Sequence, residues 1–174
     1  MYLEVAKVVP KRADVHHRLA LLYSRLGECQ TAESSFQKAL QLDPENAQLH
    51  CDLGYNHYLQ QRWPEAEASL RQAIALDGSL ARARNNLGLL LARTGREAEA
   101  MREFALAGCD RAQASANLAL AMTLEGRVEH AQAEYQRALQ FNPNLKAAQD
   151  GLANLESLMA ARTANHVAPA SYNP

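Results

Sequence analysis

The sequence predicts an all-α protein built as a stack of helix hairpins, and three observations support this fold class. Small residues stand at Ala20, Gly54 and Gly88, separated by two equal steps of thirty-four positions. Within each such segment the apolar residues recur three and four places apart, which is the spacing of a buried helix face. Glycine or proline separates these apolar runs and ends one helix before the next begins. Repeats of this length stack into a solenoid that buries a core and leaves an extended surface.

Each unit carries the same order of small and large residues. After the first small residue there is Ala twelve places later, a large apolar residue four places further, and Ala again three places after that. These positions are held by Ala20, Gly54, Gly88 and Ala119; by Ala32, Ala66, Ala100 and Ala131; by Phe36, Leu70, Phe104 and Tyr135; and by Ala39, Ala73, Ala107 and Ala138. Small side chains let two helices approach closely, so a bulky residue at Gly54 or Gly88 is expected to overpack the hairpin.

The register divides the chain into consecutive elements. They are a remnant second helix of a preceding repeat at residues 1–12, four units at 13–46, 47–80, 81–111 and 112–145, a capping helix at 146–162 and a disordered tail at 163–174. Tyr2 and Pro10 lie one full repeat before Phe36 and Pro44. Either the chain is a fragment of a longer array or the short first helix is an N-terminal cap, and we favour the fragment.

Turn residues inside the units support these divisions. Gly27, Gly95 and Gly126 stand between the two helices of their units and suit left-handed caps. The second unit has Pro64 instead, which is typical of the first turn of a helix. The third unit is three positions shorter than the others, as the step from Gly88 to Ala119 shows. We therefore expect its second helix to end early, with Gly108 as the cap.

The register also carries a family resemblance. The first unit has Leu19, Ala20, Tyr23, Ala32, Phe36, Ala39 and Pro44 in order. This pattern resembles the tetratricopeptide repeat, a helix–turn–helix unit of about 34 residues, and the resemblance extends over residues 13–145. It implies a right-handed α-solenoid whose first helices line a concave groove. The sequence departs from the family where tryptophan is usual, at His16, His50, Arg84 and Ser115. His16 and His50 are interpreted as packing residues because they repeat.

Composition excludes several functional classes. The net charge is −1 and the sequence pI is about 6.6, which predicts no nucleic-acid partner. Runs of apolar residues fall short of the roughly 20 needed to span a bilayer, which predicts no membrane insertion. Three widely spaced cysteines and the absence of a signal peptide at Met1 favour the cytoplasm. Because no catalytic or metal-ligand motif is present, the sequence predicts no enzyme, no metal and no cofactor.

The candidate partner-binding groove follows from the resemblance. The residue before each Leu–small pair would face the groove, and these residues are Arg18, Asp52, Asn86 and Asn117. Asparagine can pair with a peptide N–H and C=O at once, and Asn86 with Asn117 resembles the asparagine ladder of O-GlcNAc transferase and some kinesin light chains. Further groove candidates on the first helices are His17, Gln48, Tyr55, Tyr58, Arg82 and Asn85. Asp52 would repel a C-terminal carboxylate, which argues against a chaperone-type carboxylate clamp.

Three functions remain open at the level of sequence. The first is a protein–protein interaction scaffold that binds a peptide or partner segment in the groove. The second is a regulatory or substrate-recruiting segment of a larger enzyme, such as a glycosyltransferase. The third is a self-associating module that forms a homo-oligomer through exposed repeat ends.

Overall fold

The computed structural model describes residues 12–166, with side chains to residue 160, and all regular structure in this range is helical. The helices are α1 Ala13–Arg25, α2 Cys29–Leu42, α3 Ala47–Leu59, α4 Trp63–Leu76, α5 Ala81–Arg93, α6 Glu97–Leu106, α7 Arg111–Leu124, α8 Val128–Phe141 and α9 Lys146–His166. The predicted remnant helix at 1–12 lies, apart from Arg12, outside the described residues. Helix α9 runs past the predicted boundary at residue 162, and residues 167–174 of the predicted tail also lie outside them. The chain divides into two compact units between Gly108 and Cys109.

The first compact unit contains three helix hairpins, α1/α2, α3/α4 and α5/α6. Helix α2 packs on α3 and α4 packs on α5, while the first helices α1, α3 and α5 also contact one another in succession. The core consists of the small and large residues of the register, and Ala20, Phe36 and Leu70 are fully buried. The predicted all-α architecture of stacked hairpins is confirmed.

The second compact unit contains one hairpin, α7/α8, and the long helix α9, which contacts both. Asp110 starts α7 with a capping box, because its side chain accepts a hydrogen bond from the backbone of Gln113 at 2.8 Å. The Gln113 side chain accepts one from the Asp110 backbone at 3.0 Å in return. Leu155 of α9 is fully buried and anchors this helix on the hairpin.

The turns between paired helices share one left-handed geometry. Gly27, Gly95 and Gly126 have φ angles of 78°, 79° and 72°, which confirms the predicted caps. The second hairpin has no glycine at this place, and Gln61 adopts φ 58° instead. Arg62 N still donates to His57 O at 3.0 Å, the closure that the glycine turns also make. Hairpin closure therefore imposes the turn on a residue that does not favour it.

Within the hairpins, a small residue on one helix leaves room for a large residue on the other. A Cβ atom added to Gly88 would lie 2.5 Å from the Phe104 ring, and one added to Gly54 would lie 2.7 Å from Leu70 Cγ. In the second unit the Tyr135 ring lies in the space where Gly151 of α9 would carry a side chain. The large residue thus fills the place left by glycine on the facing helix.

The third hairpin closes early, as predicted. Helix α6 has 10 residues, whereas α4 has 14. Gly108 follows α6 with φ 89° and donates its N–H to Ala105 O at 3.0 Å. A left-handed residue there ends the helix before the shortened connection.

The position where tryptophan is usual has a polar role in this chain. His50, Arg84 and Gln149 contact the backbone carbonyls of Pro44, Gly78 and Pro143 at 2.9, 3.0 and 2.8 Å, each six places earlier. The interpretation of His50 as a packing residue is therefore corrected, since its ring nitrogen holds the loop that precedes its helix. Ser115 has the equivalent place after the shortened connection, and its buried hydroxyl makes no hydrogen bond to the described residues.

Candidate functional site

Asp52 is the centre of a charged network across the first helices of the first unit. Its Oδ2 lies 2.7 Å from His17 Nε2 on α1, and its Oδ1 lies 2.5 Å from Arg82 Nη1 on α5. Arg82 Nη2 also donates to Gln48 Oε1 at 2.5 Å. The structure therefore brings together His17, Gln48, Asp52 and Arg82, which the sequence predicts as separate groove residues.

Asp52 is buried and paired within the protein. Only 7% of this residue is exposed, and each of its two carboxylate oxygens contacts a basic side chain. A buried carboxylate with two such neighbours has little capacity left for a ligand. Asp52 ties together the three first helices, and its contact with a partner in the groove stays a prediction.

The asparagines have distinct surroundings in their own compact units. Asn86 is half-buried and its Nδ2 lies 3.7 Å from the sulfur of Cys51, while Asn117 Nδ2 lies 3.8 Å from that of Cys109. Sulfur is a weak acceptor, so a peptide carbonyl is a better partner for either amide. Burial raises the pKa of the Cys51 thiol, with the nearby Asp52 charge adding to the effect and Arg82 opposing it. Of the remaining predicted residues, Arg18 is exposed and Asn85 is half-buried.

Tyr55 and Tyr58 have different roles. Tyr55 is 42% exposed, and its ring stacks on that of Tyr58 with centroids 5.9 Å apart. Tyr58 is only 8% exposed, because Trp63 packs edge-on against it and the Arg93 guanidinium lies 5.4 Å from its centroid. Tyr58 packs beneath Tyr55, and of the two rings Tyr55 is the one with a large exposed surface. A contact between Tyr58 and a partner stays a prediction.

The second compact unit contains a cleft between α7 and α9. Its volume is about 270 Å³, and it is lined by Ala116, Asn117, Leu120, Thr123, Tyr135, Ala147, Asp150, Gly151 and Asn154. The absent side chain of Gly151 lets the Tyr135 ring approach α9, and burial raises the pKa of the Tyr135 hydroxyl. Exposed Leu120 and Asn154 lie on opposite helices. The cleft therefore combines a buried aromatic ring, apolar side chains on both helices, two amide side chains and the carboxylate of Asp150.

The α9 side of this cleft contains no residue that the sequence predicts as part of a site. Residues 146–162 are predicted only as a capping helix with a polar outer side. The signal is present in the register, because Gly151 lies one full repeat after Asn117 and Asn154 lies one full repeat after Leu120. Continuing the repeat into α9 would have placed both residues beside the groove positions of α7.

The described residues offer neither a metal site nor a membrane span. Within residues 12–166, no three His, Cys, Asp or Glu side chains form a group that could hold a metal ion. Over the same part of the chain, every helix is too short or too polar to cross a membrane. The geometry there is that of surfaces lined by amides, arginines and aromatic rings.

Comparison with known proteins identifies the repeat. Two protein-family models, each described as tetratricopeptide repeat, match residues 11–78 and residues 51–116 of the chain. The type IV pilus assembly protein PilF of Pseudomonas aeruginosa is 28% identical over 136 residues, which are 75% of this chain. The chain spans 54% of the length of that protein.

Solved structures agree with this result. A crystal structure of MamA aligns with a TM-score of 0.64 and 25% identity, covering 80% of this chain and 83% of that one. The structure of Pseudomonas aeruginosa PilF has a TM-score of 0.62 and 26% identity, covering 86% and 69% of the two chains. That of PilW, described as a type IV pilus biogenesis factor, has a TM-score of 0.63 and 27% identity, covering 84% and 69%. The chain thus belongs to the tetratricopeptide repeat family and is a scaffold for protein–protein interaction.

Proposed function

We propose that the chain binds an extended segment of a protein partner, with a principal contact in the cleft between α7 and α9. The observation that supports this proposal is the pair Asn117 and Asn154, which line the cleft from two different helices. An asparagine side chain can donate to a peptide carbonyl and accept from a peptide N–H. Two amides on facing walls suit a peptide backbone that runs between them.

The dimensions of the cleft favour a short contact. Its volume of about 270 Å³ is slightly below the range of about 300–1,000 Å³ typical of small-molecule sites. One or two side chains with their adjoining backbone fit this space. Leu120 of α7 and Ala147 of α9 supply apolar surface on the two sides of the cleft, so the segment places an apolar side chain between them while the asparagines hold its backbone.

The test uses peptides selected from a random library displayed on phage, with the purified full chain as bait. A selected peptide is then titrated against wild type, Asn117→Ala, Asn154→Ala and the control Asn144→Ala, whose residue is exposed outside the cleft. Each cleft variant should lose roughly 2- to 10-fold in affinity, which corresponds to a neutral hydrogen bond of about 0.5–1.5 kcal/mol. Unchanged affinity in the Asn117→Ala, Asn154→Ala double variant, with unchanged helicity, would rule out the cleft.

Asn86 extends the proposal to the first compact unit. The sequence predicts that Asn86 and Asn117 act as two rungs on one ligand. In that case the Asn86→Ala, Asn117→Ala double variant should lose the sum of the binding free energies that the two single variants lose. A peptide that depends on Asn117 alone is bound by the cleft and not by a ladder. The same titration series separates the two outcomes.

The names of the similar proteins suggest the kind of partner. PilF and PilW are described as pilus assembly and pilus biogenesis proteins, and we propose a comparable assembly role for this chain. Deleting its gene in the native host and counting surface pili by electron microscopy tests that role. Normal pili in the deletion strain would rule out a role in pilus assembly. This result would not contradict peptide binding in the cleft.

A further inference from the structure

Three rows of equivalent positions cross the first helices of residues 12–108. Arg18, Asp52 and Asn86 form one row; Leu21, Tyr55 and Leu89 form the next; Arg25, Leu59 and Arg93 form the third. Members of a row are one repeat length apart, and the three helices contact one another in order. The middle row is apolar throughout, and an arginine-containing row flanks it on each side. We call these three rows the Tyr55 face.

Apolar groups are exposed on this face. Tyr55 is 42% exposed and Leu59, one helical turn further along α3, is 44% exposed. The stack on buried Tyr58 fixes the Tyr55 ring before any partner arrives. A preordered aromatic side chain loses little conformational entropy on binding, and tyrosine is enriched at energetically important contacts.

The charge on the first helices differs from that on the second helices. Helices α1, α3 and α5 carry a net charge of +3, from Arg18, Arg25, Arg82, Arg84 and Arg93 against Asp14 and Asp52. Helices α2, α4 and α6 carry −3, from Lys38, Arg71 and Arg102 against Glu33, Glu65, Glu67, Glu97, Glu99 and Glu103. The overall charge of −1 conceals this separation.

The acids of the first helices are already occupied. Asp52 is buried between His17 and Arg82, and Asp14 accepts from Arg12 at 2.7 Å. Arg25, by contrast, is exposed at the end of α1, in the same row as Leu59. Arg82 is paired with Asp52 and Arg84 with Glu103 of α6, so the positive charge of the Tyr55 face comes from Arg18, Arg25 and Arg93. These arginines surround an apolar centre, which favours association with negative charge.

We propose that the Tyr55 face binds an acidic segment of a partner protein, with one apolar side chain of that segment seated on Tyr55 and Leu59. The flanking acidic residues meet the arginine rows. This surface and its ligand chemistry are distinct from the cleft of the second unit, which holds peptide backbone through amides.

The test uses a fluorescein-labelled peptide in which a Leu-Phe pair stands between runs of glutamate. Fluorescence anisotropy with the full chain should show saturable binding that weakens as salt is added. A matched peptide with lysine in place of glutamate should bind roughly tenfold more weakly or not at all, and so should one with Ala-Ala in the centre. Equal binding of the lysine peptide, or no binding of the acidic peptide, would overturn the proposal.

Variants locate the contact. Tyr55→Ala should weaken the acidic peptide roughly fivefold or more, and Arg25→Gln roughly threefold, with the loss from Arg25→Gln vanishing at high salt. Arg102→Gln is the matched control, because it removes the same charge from exposed Arg102 on α6. An equal loss of affinity in Arg102→Gln would show that the attraction is unspecific. A loss of affinity in Asn117→Ala would show that the acidic peptide binds in the cleft. Either result contradicts the proposal, and neither tests peptide binding by the asparagines, which the library-selected peptides address.

Discussion

The Oδ2 atom of Asp52 lies 2.7 Å from the imidazole Nε2 of His17, which belongs to the preceding hairpin. Its other oxygen meets Arg82 of the following hairpin at 2.5 Å. One buried carboxylate therefore connects α1, α3 and α5. In a stack where each hairpin contacts its neighbours, such a link couples the stability of three repeats.

Removing this carboxylate should destabilise the first compact unit. Asp52→Ala is expected to lower the free energy of unfolding by about 1–3 kcal/mol, because His17 and Arg82 lose their acceptor. Urea unfolding followed by circular dichroism measures the change. Glu45→Ala is the control, since Glu45 is exposed in the turn before α3. Equal stability of the Asp52 variant and wild type would contradict a structural role for the link.

Gly88 should not tolerate a larger residue. A Cβ atom there would lie 2.5 Å from the fully buried Phe104 ring, so Gly88→Ala should cost about 1–3 kcal/mol through overpacking. Gly78→Ala provides the comparison, because a Cβ atom at Gly78 meets its nearest atom at an ordinary 3.7 Å. Thermal unfolding should show a clear drop for the first variant. A similar melting temperature for both variants would indicate that Phe104 shifts freely.

Cys51 should be inert in the folded protein. It has no exposed surface, and burial raises the pKa of its thiol, so the reactive thiolate is scarce at pH 8 and out of reach of reagents. Alkylation by iodoacetamide should proceed at least about tenfold more slowly in buffer than in urea. Mass spectrometry of the peptide containing Cys51 measures both rates. Equal rates would mean that α3 opens readily.

Glu67 should contribute to acid sensitivity. Burial tends to raise its pKa, but hydrogen bonds from Arg71 and Arg96 more than offset this and the net pKa is lowered. A lowered carboxylate pKa stabilises the fold above the unfolded value of about 4.3, and the contribution is lost as the pH falls through the folded value. Glu67→Gln should therefore lose less stability than wild type between about pH 6 and pH 3.

A matched variant controls this experiment. Glu45→Gln, at the exposed turn position, should retain the wild-type loss of stability on acidification. Urea midpoints at several pH values provide the measurement. If Glu67→Gln and wild type respond identically, the contacts of Glu67 with Arg71 and Arg96 do not contribute in solution.

Much of the fold could be predicted because the repeat is local. Gly27, Gly95 and Gly126 mark the turns in sequence, and the structure gives each a positive φ. Gln61 could not be predicted in this way, since its left-handed backbone is imposed by closure of the second hairpin and not by its own preference. The polar role of His50 was also hidden, because it depends on the carbonyl that the preceding loop presents.

Candidate site residues were harder to predict than helices. Equivalent positions share a register but not an environment, as Arg18 is exposed and Asp52 is buried. The difference comes from the side chains on neighbouring helices, which lie about one repeat away in sequence. The α9 wall of the cleft was missed for a related reason: Gly151 matters for what it lacks, and that is visible only once the Tyr135 ring is in place.

By itself, the sequence determined where the hairpins lie and which residues form their core, because these follow from periodicity along one chain. Tertiary structure alone decided that Asp52 is buried between His17 and Arg82, that Tyr58 lies beneath Tyr55, and that Asn117 and Asn154 share a cleft. Burial and pairing are properties of packed neighbours. A repeat fixes the position of a residue in its helix, but the side chains packed around it fix what that residue can bind.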